Sequence, residues 1–237
     1  TRIIPQAHHV CGQVGYAPYA LPGSEQLGEN IANTSAQGFD VVLLENHGVV
    51  TAGPDLLTAF QRLETLDFCA RTQIHATSLG PVHILSKEQI ARFEERPLLL
   101  PTFRPVSHSS PERALRQQIC RMVHRAYEQR LMTSTEGTVS ALVDAASFLI
   151  TPYGLDRKYL EVEDLVLVRE GRSEADKFPS RAVKLHQVIY AEHPGINCII
   201  TAQSPYAMAY AVTGQPLDSR TIPESYVVLR NIPLVPH

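Results

Sequence analysis

Val41-Val42-Leu43-Leu44-Glu45-Asn46-His47-Gly48 is the stretch on which the reading of this chain turns. Four consecutive apolar residues, two of them β-branched, are too few for a helix and do not alternate with polar ones, the pattern of a strand buried on both faces. Such a strand delivers Glu45, Asn46 and His47 to its end, and a second strand over Val49–Thr51 follows. On the C-terminal side, Pro54 opens a long helix in which Leu56, Phe60, Leu63, Leu66 and Ala70 recur at three-to-four spacing until Gly80. That stripe is expected to be core. On the N-terminal side, Ser24 caps a short helix carrying Leu27 and Ile31, and Gly38 stops it.

Beyond Gly80 the prolines at 81, 97, 101 and 105 break the periodicity, apart from a short helix over Lys87–Glu95, so 81–109 reads as a connector. Ser110 and Pro111 then start a helix whose apolar stripe is Leu115, Ile119, Met122, Val123 and Ala126. Strand-like runs follow at Val139–Val143, Phe148–Thr151 and Leu165–Val168, with turns at Tyr153-Gly154 and Glu170-Gly171, and together they predict an antiparallel sheet. Ser180 caps a helix through Val183, His186 and Tyr190 that Pro194-Gly195 ends. Asn197–Thr201 is a further apolar strand, and Ser204-Pro205 starts a last helix that runs to Gly214.

Composition narrows the function. The 237 residues are 44% hydrophobic and 19% charged, enough to bury a substantial core. Lysine and arginine total 21 against 24 acidic residues, and a net charge of -3 gives no basic field for nucleic acid or an anionic membrane. Cys11, Cys69, Cys120 and Cys198 are scattered among apolar neighbours and form no C-x-x-C pair, which predicts reduced core thiols in a cytoplasmic protein. The chain opens at Thr1 and closes on Leu234-Val235-Pro236-His237, termini expected to be cut rather than natural.

An internal echo bears on the organisation. Arg2-Ile3-Ile4-Pro5 through Pro18 aligns with Arg220-Thr221-Ile222-Pro223 through Pro236, matching Arg2/Arg220, Ile4/Ile222, Pro5/Pro223, Val10/Val228 and Pro18/Pro236. A period of that size is a whole domain plus a linker, and it suggests a tandem duplication. Both copies of the echo read as strands, which would point the adjacent His8 and His9 to opposite faces and rule out a shared metal.

With these motifs laid out, the chain resembles the class II aldolase/adducin family in permuted order. Ala17-Pro18-Tyr19, Leu21-Pro22-Gly23-Ser24, Glu45-Asn46-His47-Gly48 and the helix after Gly53-Pro54 are similar to the family's back half. Gly137-Thr138-Val139-Ser140, the run Phe148–Gly154, Asp164-Leu165-Val166, Phe178-Pro179-Ser180, the run His186–Tyr190 and Ser204-Pro205-Tyr206 are similar to its front half. The resemblance implies an α/β fold, a three-layer α/β/α domain with a mostly antiparallel central sheet, with its halves permuted here. It places the back half of one copy in 1–80, a proline-rich connector in 81–109 and the front half of a second copy in 110–237. It also implies a homo-oligomer. The halves close on each other within one chain or pair with those of another.

The family's enzymes hold a divalent metal, typically zinc, with three histidines: an H-x-H at a strand end and one more in an asparagine-histidine-glycine turn. The metal acts as Lewis acid for carbon–carbon cleavage beside a carbonyl in a small, often phosphorylated substrate. Carried over, His47 is the third ligand. The H-x-H positions read Thr201-Ala202-Gln203, and neither outer residue is a strong zinc ligand. Ala182 stands where the acid/base glutamate belongs, and Thr138 where a phosphate-binding asparagine is usual. Ser140, Thr151, Gly154 and Ser180 remain as substrate-binding candidates. The resemblance therefore implies a lyase in the parent molecule with a degenerate 110–237 copy, or an adducin-like assembly module without catalysis. His186 is expected to be a buried core histidine. Arg181 and Arg220 read as ordinary surface arginines, with contact to an anionic ligand as the alternative, and Tyr226 stands where the family often places a tyrosine that reaches a neighbouring subunit's site, with packing as the alternative.

Overall fold

The computed structural model describes residues 1–94 and 100–235. Its packing divides the chain into two compact units, one formed by Thr1–Glu95 with Pro205–His237 and the other by Arg96–Ser204. This is a division of packing, whereas the bounds 1–80, 81–109 and 110–237 expected from the sequence concern descent. Glu95 and Pro97 fall outside the described residues.

The first unit opens with helix α1 (Pro5–Cys11), strand β1 (Val14–Ala17) and helix α2 (Glu25–Ser35). The hydroxyl of Ser24 accepts the Leu27 amide at 3.2 Å and caps α2 as its sequence suggests. Strand β2 (Val41–Leu44) pairs parallel with β1 and antiparallel with β3 (Gly48–Thr51). Ala17, Val42 and Leu44 bury against Ile31, Phe39 and Val50. Gly15 lets α2 approach closely, since a Cβ there would lie 2.7 Å from Thr34 Cγ2 and 2.9 Å from Phe39. Leu43, in contrast, is 43% exposed although Val41 on the same face is fully buried, so that face of β2 is covered only at its start.

Two further expectations for this unit are overturned. Residues 5–11 and 223–229 are helices, α1 and α8 (Pro223–Leu229), not strands. Each begins with a proline, whose fixed φ and missing N–H suit the first helical turn, and that local signal outweighed the apolar run behind it. The long helix α3 (Leu56–Ala76) forms, capped by Asp55 through the Thr58 amide at 2.7 Å, but rotated from the expected face. Leu56, Phe60 and Leu63 are 87%, 45% and 40% exposed, while Thr65, Phe68, Cys69, Thr72 and Ala76 are buried. The reason is the size of its neighbours: α1 and α7 (Pro205–Thr213) pack against α3, and the small face permits their close approach. Helix α4 (Lys87–Glu94) lies in the segment read as connector.

The second unit is a six-stranded, mostly antiparallel sheet with a helix on each face. Its strands are β4 (Thr102–Phe103), β5 (Thr138–Asp144), β6 (Ser147–Ile150), β7 (Val166–Arg169), β8 (Arg172–Glu174) and β9 (Cys198–Thr201), in the order β4-β8-β7-β6-β5-β9. Only β4 pairs parallel, with β8, so part of the presumed connector is a strand of this sheet. Glu170 and Gly171, at φ +50° and +74°, turn β7 into β8. Alternation sorts the side chains. Val139, Ala141, Leu149, Leu165 and Leu167 meet Ile119, Cys120 and Val123 of helix α5 (Ser110–Glu128), while Phe148, Ile150, Val166 and Val168 meet Val183 of helix α6 (Val183–Glu192). Cys11, Cys69 and Cys120 are buried, but Cys198 is exposed on edge strand β9 and is not a core thiol.

A buried cation ties α5 to the sheet. Arg116, 4% exposed, donates to Glu112 at 2.9 Å, to Glu174 at 3.2 Å and to the carbonyls of Val162 and Leu165 at 3.1 and 2.7 Å. Burial pushes the Glu174 carboxyl up, but the Lys177 ammonium, the Leu167 amide and Arg116 outweigh it and hold the group below its ordinary range. Arg116→Met leaves two buried carboxylates without their shared cation and is expected to cost about 3–5 kcal/mol. Arg71→Met, which breaks the exposed Asp67 pair, is expected to cost less than about 1 kcal/mol. Denaturant midpoints of the two variants provide the comparison.

Candidate functional site

The α6 face of the second sheet carries a cluster of hydroxyls. Thr138 and Ser140 are two apart on β5 and so share a face, and Thr201 lies directly opposite Thr138 on β9. Ser180 comes from the segment between β8 and α6, held by its amide on the Thr151 carbonyl at 3.0 Å. The hydroxyls of Thr138 and Ser180 are 2.6 Å apart, and Ser180 Oγ also accepts the Ala182 amide at 3.3 Å. Thr151 follows β6, and its hydroxyl accepts the Val139 amide at 3.3 Å. Of the predicted residues, Ser140, Thr151 and Ser180 are buried together here, and Ala182 caps α6 without a side-chain contribution. Ser180 is therefore not the helix cap but stands two residues ahead of it.

Gly154 is exposed, at φ +76° in the turn after Pro152. Arg157 ties that turn to the segment entering β5: its Nε donates to the Gly137 carbonyl at 2.8 Å and its Nη1 to the Leu155 carbonyl at 2.6 Å. Gly137 itself takes φ +104°, and a Cβ there would stand 2.5 Å from Met132, so only glycine suits the position. At the rim, Arg181 Nη2 donates to the Tyr153 hydroxyl at 3.0 Å with its guanidinium 4.9 Å from the ring centre.

Behind the cluster lies a chain of polar groups that the sequence reading had not connected. Ser140 Oγ is 2.7 Å from His186 Nδ1 and 2.6 Å from the Tyr190 hydroxyl. His186 is fully buried, as expected, and its Nε2 has no partner among the described residues. A consistent proton order has Tyr190 donating to Ser140 and Ser140 donating to Nδ1 of a neutral imidazole. Burial pushes His186 down to about 4 and Tyr190 up to about 12. The signal was present: His186 and Tyr190 are four apart on one helix face, opposite the alternate residues Thr138 and Ser140. Glu136 was missed as well. Burial pushes its carboxyl up to about 7, only partly offset by Arg157, and its Oε2 has no partner among the described residues.

His47 belongs to the first unit. It sits exposed in the turn between β2 and β3, where Asn46 takes φ +53° and the His47 amide donates to the Leu44 carbonyl at 3.1 Å. Beside it, Glu45 accepts the Tyr19 amide at 2.9 Å.

The family profile described as Class II Aldolase and Adducin N-terminal domain matches residues 2–74 and 117–237, most of the chain. The chain belongs to the class II aldolase and adducin family. Similar curated proteins include an L-fuculose phosphate aldolase of Methanococcus vannielii, 26% identical over 116 residues that cover 49% of this chain and 63% of that protein. Another is the 3-oxo-tetronate 4-phosphate decarboxylase of Escherichia coli K12, 28% identical over 132 residues, or 53% of this chain and 62% of that protein. The chain thus spans less than two thirds of the length of these relatives. Among solved structures, an L-fuculose 1-phosphate aldolase from Glaciozyma antarctica shares 21% identity over 48% of this chain and 51% of that chain, with a TM-score of 0.41.

Class II aldolases are typically dependent on a divalent metal, and the described residues of this chain do not bring together a set that fits one. Among the described residues no group of three or more His, Cys, Asp or Glu lies close enough to hold an ion. At the end of β9 the donors are the Thr201 hydroxyl and the Gln203 amide, weak substitutes for imidazole, and Gln203 Oε1 is buried without a partner among the described residues. No helix among the described residues is long and apolar enough to cross a membrane.

Two of the shifted groups, His186 and Glu136, give opposing pH dependences. An unfolded chain takes up the His186 proton near 6.5 and the folded one only near 4, so stability falls as pH drops through that window. For Glu136 the folded protein keeps its proton up to about 7, against 4.5 when unfolded, so stability falls as pH rises through that interval. Glu136→Gln is expected to remove the second slope and to raise stability at pH 8 by roughly 1–3 kcal/mol, whereas His186→Gln should flatten the acid limb. Urea midpoints measured between pH 4 and 8 test both.

Proposed function

We propose that this chain derives from a lyase that acts on a small hydroxylated or phosphorylated carbonyl compound, and that its 110–237 segment keeps the anion cradle of such a site without the chemistry. The observation that carries this reading is the meeting of the Thr138 and Ser180 hydroxyls beside the Ala182 amide, with Arg181 on the same segment. Together they offer two hydroxyl donors and a nearby cation to an oxyanion, the equipment of a phosphate cradle. Ser140, Thr151 and Gly154 complete the proposed substrate-binding set.

The same segment lacks the rest of the machinery. Ala182 cannot move a proton, and Thr201 and Gln203 cannot hold zinc strongly. His47 is the proposed metal ligand of the parent enzyme, where a divalent metal, most simply zinc, would polarise the substrate carbonyl. Deletion of these groups also favours a second reading, an adducin-like module that persists for assembly, in which the chain is a homo-oligomer and the cradle has no ligand.

Binding of a sugar phosphate separates the two. With L-fuculose 1-phosphate as probe, the lead reading expects a rise in melting temperature that Ser180→Asp abolishes, with affinity falling at least tenfold because a carboxylate then faces the phosphate. Zinc in the purified chain should stay well below one per chain, and no aldol cleavage should be seen. Absence of any response to the sugar phosphate would sink the cradle and leave the assembly reading. Stoichiometric zinc lost on His47→Ala would show that the chain keeps a metal centre after all.

A further inference from the structure

Helix α8 repeats helix α1 in detail, residue for residue at the offset of the sequence echo. Each is seven residues long and starts with proline. The preceding isoleucines, Ile4 and Ile222, take φ/ψ of −136°/123° and −129°/120°. The residues that close the helices, Gly12 and Arg230, take 60°/−147° and 55°/−142°, and their amides bond the carbonyls of His8 and Tyr226 at 2.8 and 3.0 Å. The hydroxyl of Thr1 donates to the Gly12 carbonyl, and that of its counterpart Ser219 to the Arg230 carbonyl. Arg230 holds a backbone shape that glycine prefers, so the geometry is kept although the glycine is gone.

Their surroundings differ. In α1, Ile4, Ala7 and Cys11 are 3%, 1% and 3% exposed because α3 covers them: Phe68 and Cys69 pack there, and the Cys11 thiol donates to the Arg62 carbonyl at 3.4 Å. The counterparts in α8 are Ile222, Ser225 and Leu229. Ile222 and Leu229 are 54% and 53% exposed, and α8 contains no buried residue. Val227 and Val228 beside them are 71% and 78% exposed. A seven-residue helix with such a surface has no means of stabilising itself.

We infer that the face of α8 formed by Ile222, Ser225 and Leu229 is a docking surface for a long amphipathic helix of the α3 kind, carried by a further copy of the segment 20–80. The copy of this arrangement inside the same chain defines the occupant: a helix whose small residues and one aromatic ring admit α1 at close range. The Ser225 position, matching the fully covered Ala7, marks the point of closest approach. This inference stands apart from the function proposed above and needs no ligand at the hydroxyl cluster.

The test extends the full chain by a second copy of residues 20–80 after His237, which continues the register of the repeat. Amide hydrogen exchange of Tyr226–Leu229 is then compared with that of the unextended chain. The expected result is slowing on the order of 100-fold, toward the rate of His8–Cys11. Ser225→Arg in the extended chain should return the exchange to its fast value, whereas Val227→Arg, whose counterpart His9 is exposed, should not. Unchanged exchange on extension, or slowing that survives Ser225→Arg, would overturn the inference.

Discussion

Of the two buried arginines of the second unit, Arg116 and Arg157, it is Arg116 that organises the sheet. Arg116 cannot lie inside a protein unless anions and carbonyls surround it, and those partners come from α5 itself, from the segment before β7 and from the end of β8. Satisfying the charge therefore fixes where α5 crosses the sheet and in which register. Leu167 also donates its amide to Glu174 at 3.2 Å, so one carboxylate anchors two strands and a helix. Once α5 occupies that face, alternation leaves Thr138 and Ser140 no choice but the opposite one, under α6. The hydroxyl cluster is thus a downstream consequence of a cation on the far side of the sheet.

Much of this was legible in the sequence, for reasons that differ by element. The run Val41–Leu44, the cap Ser24 and the helix start at Ser110 are local signals that produced their elements within a residue or two, with Ser109 rather than Ser110 the cap, while Gly38 and Gly80 stand three and four residues beyond the last helical residues, Ser35 and Ala76. Strands β5, β6, β7 and β9 followed from short apolar runs between turn residues. What failed was orientation. The stripe Leu56–Ala70 has helical spacing and larger side chains than Thr65, Cys69 and Thr72, yet the smaller face is buried because helices α1 and α7 need close approach. Periodicity locates a helix face, but the size of the neighbour decides which face is covered. The helices at Pro5 and Pro223 were read as strands because a short run with several β-branched residues carries two competing signals, and seven residues give too few turns to decide between them.

The site was legible by type and not by connection. Ser140, Thr151 and Ser180 were singled out, and they lie together, but the bonds from Ser140 to His186 and Tyr190 depend on how α6 lies over β5, which no spacing in the chain announces. Glu136 escaped notice because a single carboxylate beside a glycine is unremarkable until its burial is known. What Ala182, Thr201 and Gln203 cannot do was readable directly, since the lack of an imidazole or carboxyl in a side chain is a fact of composition rather than of folding.

The two hydroxyls of the cluster already satisfy each other, and Ser140 is engaged by the imidazole behind it. In the cradle proposed above, an incoming guest would have to break the Thr138–Ser180 contact before gaining anything, forgoing an interaction worth on the order of 1 kcal/mol. A neutral alcohol or a carbonyl would merely exchange one ordinary bond for another. In that proposed role a strongly accepting, multiply charged oxygen group would recover more than it displaces, so the resting contact would favour phosphate over weak acceptors.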